Sequence, residues 1–226
     1  ISFMFAEFAV FAVFSSLEYI SMMIYLFTLF RFHLTHFKFQ ILFMAVALSY
    51  LSFTLRHDEM SSISPIAQLL VLFLFMWLMF RIQIFYALIM SVTGSLSYAL
   101  VQGIFIYSLK LSGAIDYTQV QPNTPIGWSL QVGSSALMMI LSLLLSRLRW
   151  GFNFVPHSEY APTRLKNENL ILLIVVVISV FMIGLIYYFT VYLDYSQGVF
   201  DVIFIMLLTL ITLFYLSIRK DKREDD

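Results

Sequence analysis

The stretch 65-PIAQLLVLFLFMWLMFRIQIFYALIMSVTGSLSYALVQGIFIYSL-109 contains one charged residue, Arg81, in 45 positions. As a single helix it would be about 67 Å long at 1.5 Å per residue, about twice the hydrocarbon core of a bilayer. A chain this apolar must therefore fold back on itself, and Arg81-Ile82-Gln83 is the only polar interruption near its middle. The stretch reads as two antiparallel membrane helices, 63–80 and 84–109. Ser64 is expected to cap the first of them, and Pro65 suits the opening helical position because its missing N–H is not needed there.

The same span length of about 20 residues, carried outward in both directions, marks further helices at 8–30, 39–55, 128–146, 170–192 and 200–218. Composition agrees: the chain is 61% apolar and 12% charged, with 24 Phe and 13 Tyr and a mean hydropathy of +0.91. Soluble domains are about 45–50% apolar and about 25% charged, and a soluble fold of this length has too little interior to hide the excess. The expected class is an all-α polytopic membrane protein, a bundle of about seven helices. Residues 1–218 form one transmembrane domain and 219–226 a short charged tail. The first 30 residues read as a retained span, being too long and too lightly charged for a cleaved signal peptide. With no cysteine, disulfides and thiolate chemistry are excluded.

Basic residues fall on alternate connections. If the N-terminus is outside, the inner side carries Arg31, Lys38, Arg81, Arg147, Arg149, Arg164, Lys166, Arg219, Lys220, Lys222 and Arg223. The outer side carries only Arg56 and Lys110. The positive-inside rule then predicts an outer N-terminus and a cytoplasmic C-terminus across a plasma membrane. Acidic residues show the opposite bias, with Glu7, Asp58, Glu59, Asp116, Asp194 and Asp201 at the outer side. Of the two longer connections, outer 113–127 (GAIDYTQVQPNTPIG) holds two prolines and no Lys or Arg, and reads as an ordered lip. Inner 147–169 mixes Arg147, Arg149, Arg164 and Lys166 with Trp150 and Tyr160, as expected of an anchor at an anionic leaflet.

Glu18 is the one ionisable group left inside a span. A carboxyl at that depth costs about 2.5–3.5 kcal/mol on insertion scales, so it should turn toward protein or water, where such residues mark function. The plainer structural reading is a neutral carboxyl bonding to Ser15, Ser21 or a neighbouring helix. Other polar groups lie at a similar depth in the same half of the bundle. They are Ser49, Tyr50, Ser52 and Thr54 on the second span, Gln68 on the third, and Ser91, Ser95, Tyr98 and Gln102 on one face of the fourth. Gln131, Gly133, Ser134 and Ser135 open the fifth. Small residues allow close helix packing, which accounts for the serines but not for the glutamines. The expectation is a polar and aromatic cavity open to the outside and closed toward the cytoplasm, with Glu18, Tyr98, Gln102, Gln68 and Gln131 as candidate ligand-binding residues.

His33 and His36 share helical spacing but lack a third metal ligand, and His57-Asp58-Glu59 reads as a solvated turn. No HExxH, GxSxG, paired-aspartate or glycine-rich phosphate motif occurs, so no enzyme, metal or cofactor is expected. The basic residues are too scattered for a nucleic-acid surface.

An outer N-terminus, six or seven short-looped Phe/Leu/Ile-rich spans and a last helix leaving inward through RKDKREDD together resemble the membrane input region of Gram-positive peptide-pheromone receptor histidine kinases of the accessory-gene-regulator type. The likeness is one of topology along the whole chain, and no binding residue carries over. It implies a sensor or regulatory module for a peptide or small amphipathic ligand. No phosphorylation helix or ATP-binding lobe follows Asp226, so the kinase would lie beyond this sequence or in a separate partner. Two alternatives stand beside it: a transporter or the substrate-binding membrane subunit of one, and a structural subunit of a membrane complex.

Overall fold

The computed structural model describes residues 2–57, 63–116, 119–121, 124–155, 171, 173–181 and 199–224. Among them every regular element is helical. In chain order these are α1 (Ser2–Leu29), α2 (Lys38–His57), α3 (Ser64–Leu74), α4 (Ile84–Leu111), α5 (Pro125–Arg147), α6 (residues 173–181) and α7 (Val199–Glu224). Five of the described helices, α1, α2, α4, α5 and α7, are long and apolar enough to cross a membrane. The expected span 170–192 is described only in part; of the His57-Asp58-Glu59 turn His57 ends α2, while Asp58, Glu59, Asp194 and most of the 147–169 anchor lie outside the described residues.

The chain turns back where its length demands. Helix α3 widens into a π turn over Phe75–Met79, closed by Phe80 N–H donating to the Phe75 carbonyl, and α4 starts at Ile84. Two expectations need correction here. Helix and π turn end at Met79 and together measure about 24 Å, short of a full hydrocarbon crossing. Ser64 is not a cap: Ile63 holds the N-cap position, and the Ser64 hydroxyl accepts from Gln68 Nε2 at 2.6 Å. Helix α7 continues past Ile218 to Glu224, because Arg, Lys and Glu are good helix formers.

Helix α1 is central, packing on α2, α5 and α4, while α3 bridges α2 to α4 and α7 lies along α4. Gly94 sets the close approach of α1 to α4, since a Cβ there would lie 2.5 Å from Leu26 Cδ1. At one end the core is aromatic and closed. Phe27 packs on Phe32, Phe37 and Phe80, while Phe30 meets Phe152 and Phe154, and Phe152 and Trp150 meet Phe214. Segment 149–155 is tied in by Phe152 N–H donating to Leu29 O at 2.7 Å and Asn153 N–H donating to Asp221 Oδ1 at 2.7 Å.

This end also carries Arg31, Arg81 and Arg149, each exposed and in the left-handed backbone region at φ 55°, 56° and 51°. Behind Arg31 and Arg149 a six-to-one bond closes the preceding helix, Phe32 to Phe27 and Trp150 to Leu145, while behind Arg81, after the π turn, Ile82 N–H reaches one residue further back to Met76 O. Glycine usually holds that position, as Gly113 does after α4. Arginine costs about 1–2 kcal/mol in that conformation, offset in part because a cation is favourable near a helix C-terminus; Arg31 also ties two of these ends together, its Nη2 donating to Arg149 O at 2.8 Å.

Candidate functional site

At the opposite end, where α2 stops, α3 begins and the 113–127 segment links α4 to α5, the bundle opens into a cavity of about 500 Å³. That lies within the usual range of small-molecule sites, about 300–1,000 Å³. Every helix described contributes to its wall. The five residues singled out from the sequence, Glu18, Gln68, Tyr98, Gln102 and Gln131, all line it, although they come from four different helices.

Glu18 is the centre of the polar wall. Its Oε1 accepts from the Tyr98 hydroxyl at 2.8 Å and from Gln102 Nε2 at 3.2 Å, and its Oε2 accepts from Gln131 Nε2 at 3.4 Å. Tyr98 and Gln102 stand four apart on α4 and so share a face, which the α1–α4 contact turns toward Glu18. Ser134 holds Tyr98 from behind, with 2.9 Å between their hydroxyls. The Glu18 carboxyl therefore does not bond to Ser15 or Ser21; the Ser21 hydroxyl instead donates to the Glu18 backbone carbonyl.

Other polar residues of the same half have different roles. Ser95 and Ser52 reach the cavity. The Ser49 and Ser16 hydroxyls join α2 to α1 at 3.1 Å, Ser91 donates to Ala87 O, and Thr54 to Tyr50 O. Tyr50 is exposed on the outside of the bundle. Gly133 is a packing position, where a Cβ would collide with the Phe105 ring. His33 and His36 lie at the other end with ring centroids 6.3 Å apart. Among the described residues no group of His, Asp and Glu could hold a metal.

Arg56, Tyr19, Val120, Gln121 and Met206 were not singled out from the sequence, yet all line the cavity. Arg56 carried a signal, being one of two bases on a base-poor side; its guanidinium carbon lies 5.5 Å from the Phe11 ring centroid. Val120 and Gln121 come from the 113–127 segment, which forms a wall of the cavity where described. Thr124 fixes that wall: its Oγ1 donates to Gln121 O at 2.8 Å and accepts from Gly127 N–H at 3.0 Å, capping α5. Gly127 has to be a glycine, because a Cβ would strike the Gln121 carbonyl. Thr124→Ala removes both bonds and should cost about 1 kcal/mol, lowering the melting temperature by about 2–4 °C for a chain of this size. Thr124→Ser, which keeps the hydroxyl, should melt like the parent; a thermal melt of the purified protein checks both.

Comparison with protein-family models, curated proteins and solved structures finds no match for the chain.

Proposed function

We propose that the chain is a multi-pass receptor module of a bacterial plasma membrane. About seven spans run from an outer N-terminus to a cytoplasmic C-terminus. The module holds a peptide or small amphipathic ligand in the Glu18 cavity and passes its occupancy to the cytoplasmic side, where a kinase or another membrane subunit reads it. The positive-inside distribution supports this threading, since Arg31, Lys38, Arg81, Arg147, Arg149, Arg219 and Lys220 share the end opposite the cavity.

The observation that carries the reading is a polar cavity above a closed floor, with one helix touching both. Met23, Leu26, Phe27, Met44, Leu48 and Met90 are fully buried below Glu18 and form an apolar plug, and hydroxyls deeper in the bundle are taken up by backbone carbonyls, as Ser91 by Ala87 and Thr28 by Ile24. Helix α7 lines the cavity at Met206 and, about 21 Å further on, places Lys220 in the aromatic floor. A ligand that contacts α7 differently in two helix arrangements would shift the population between them.

Native purification followed by mass spectrometry of what accompanies the protein tests the proposal. A reproducible cytoplasmic signalling partner together with a bound amphiphile is expected. A hydrophilic solute in stoichiometric amount, with no such partner, would overturn it in favour of transport.

A further inference from the structure

The polar wall of the cavity has acceptors to spare. Three donors converge on the Glu18 carboxyl, the pattern of a group that only accepts, yet they use it unevenly. Oε1 takes two bonds, while Oε2 takes only the 3.4 Å contact from Gln131. Gln131 Oε1 is itself buried and has no hydrogen-bond partner among the described residues. Turning the amide over does not help, because it would set that oxygen against Glu18 Oε2. Two under-used acceptors thus belong to a hydrogen-bonded pair of cavity residues, Glu18 of α1 and Gln131 of α5. Arg56, the cation lining the same cavity, leans on Phe11. Behind the acceptors the wall is apolar, with Met22, Leu69, Leu72 and Met206.

From this arrangement we infer that the cavity selects an amphiphile with a protonated primary or secondary amine as its head, the N–H groups donating to Glu18 Oε2 and Gln131 Oε1 and the apolar body lying along α3 and α7. The inference rests on the receptor reading and narrows its ligand. A buried carboxylate is costly unless paired and hydrogen-bonded, and an ammonium supplies both the charge and the donors. A quaternary ammonium supplies only the charge. A carboxylate would need Arg56 and would be repelled by Glu18.

The test uses the whole chain in nanodiscs, titrated with octylamine, octyltrimethylammonium, octanol and octanoate, with thermal stabilisation and intrinsic tryptophan fluorescence as readouts. Octylamine should bind at least about tenfold more tightly than the other three, the scale of one charge-assisted contact. Glu18→Gln, which keeps the shape of the side chain, should remove that preference. Gln131→Met should weaken octylamine about fivefold while leaving octyltrimethylammonium unchanged. Equal binding of octanoate, or an octylamine preference that survives in Glu18→Gln, overturns the inference while leaving a ligand cavity in place. If none of the four amphiphiles shifts either readout, the inference falls, and the receptor reading then stands or falls on the co-purification result.

Discussion

Glu18→Leu should lower the melting temperature of the detergent-solubilised protein by about 6–12 °C. The substitution leaves the Gln102 and Gln131 amides facing an apolar side chain, while Tyr98 keeps its Ser134 partner. An unsatisfied buried donor costs about 1–3 kcal/mol. Taking about 1.5 kcal/mol for each, in the lower half of that range because interhelical bonds inside membranes average only about 0.6 kcal/mol, two orphaned amides together should cost about 3 kcal/mol. At about 2–4 °C per kcal/mol for a chain of this size, that gives the stated range. Glu18→Gln retains an acceptor and should insert and melt within about 1 kcal/mol of the parent. Leucine and glutamine variants that both melt with the parent would show that the carboxyl joins no helices.

Lys220→Glu should be at least as damaging, from the other end of the molecule. Lys220 is only 5% exposed, and its Nζ lies 4.4 Å from the Tyr86 ring centroid, 4.9 Å from that of Phe154 and 5.2 Å from that of Phe85. It also donates to the Tyr86 hydroxyl at 3.1 Å. A desolvated cation over aromatic faces is worth about 2 kcal/mol or more. A carboxylate there meets the negative faces of three rings and is buried unpaired, a change of about 3–5 kcal/mol. Lys220→Met should lose the cation term and the bond to Tyr86 but bury no charge, and Lys220→Arg should lose much less, so the expected order of melting temperatures, highest first, is parent, Arg, Met, Glu. Susceptibility of residues 199–224 to protease should rise along the same series, lowest in the parent and highest in the Glu variant. A glutamate variant as stable as the methionine variant would mean that the rings do not hold the charge.

Much of the architecture was legible in the sequence because a bilayer imposes so few solutions. A helix must be about 20 residues long to cross, so the 45-residue, largely apolar stretch 65–109 had to fold back at Arg81, and it does. The five cavity residues were legible for a related reason. Glutamine and glutamate inside a span must face protein or water, and the helices offer one shared face on which they can do so. Local detail was less legible. Ser64 resembled a cap by its position before Pro65, but a nearby glutamine amide claimed its hydroxyl. Tyr50, Ser91 and Thr54 lay at a suitable depth, but their orientation depends on helix rotation, which depth along the chain does not specify.

Charge and hydropathy along the chain determined that this protein is a bundle of apolar helices, five of the described ones long enough to cross a membrane, because the free energy of placing each residue type in lipid depends little on its neighbours. Only the tertiary structure decided that three donors from two helices meet on Glu18, that Gln131 keeps an unused oxygen beside it, and that Lys220 sits among rings from two distant segments. Those outcomes depend on how α1, α4, α5 and α7 rotate and approach one another. That is set by steric fits such as Gly94 against Leu26, which arise only once the helices have packed.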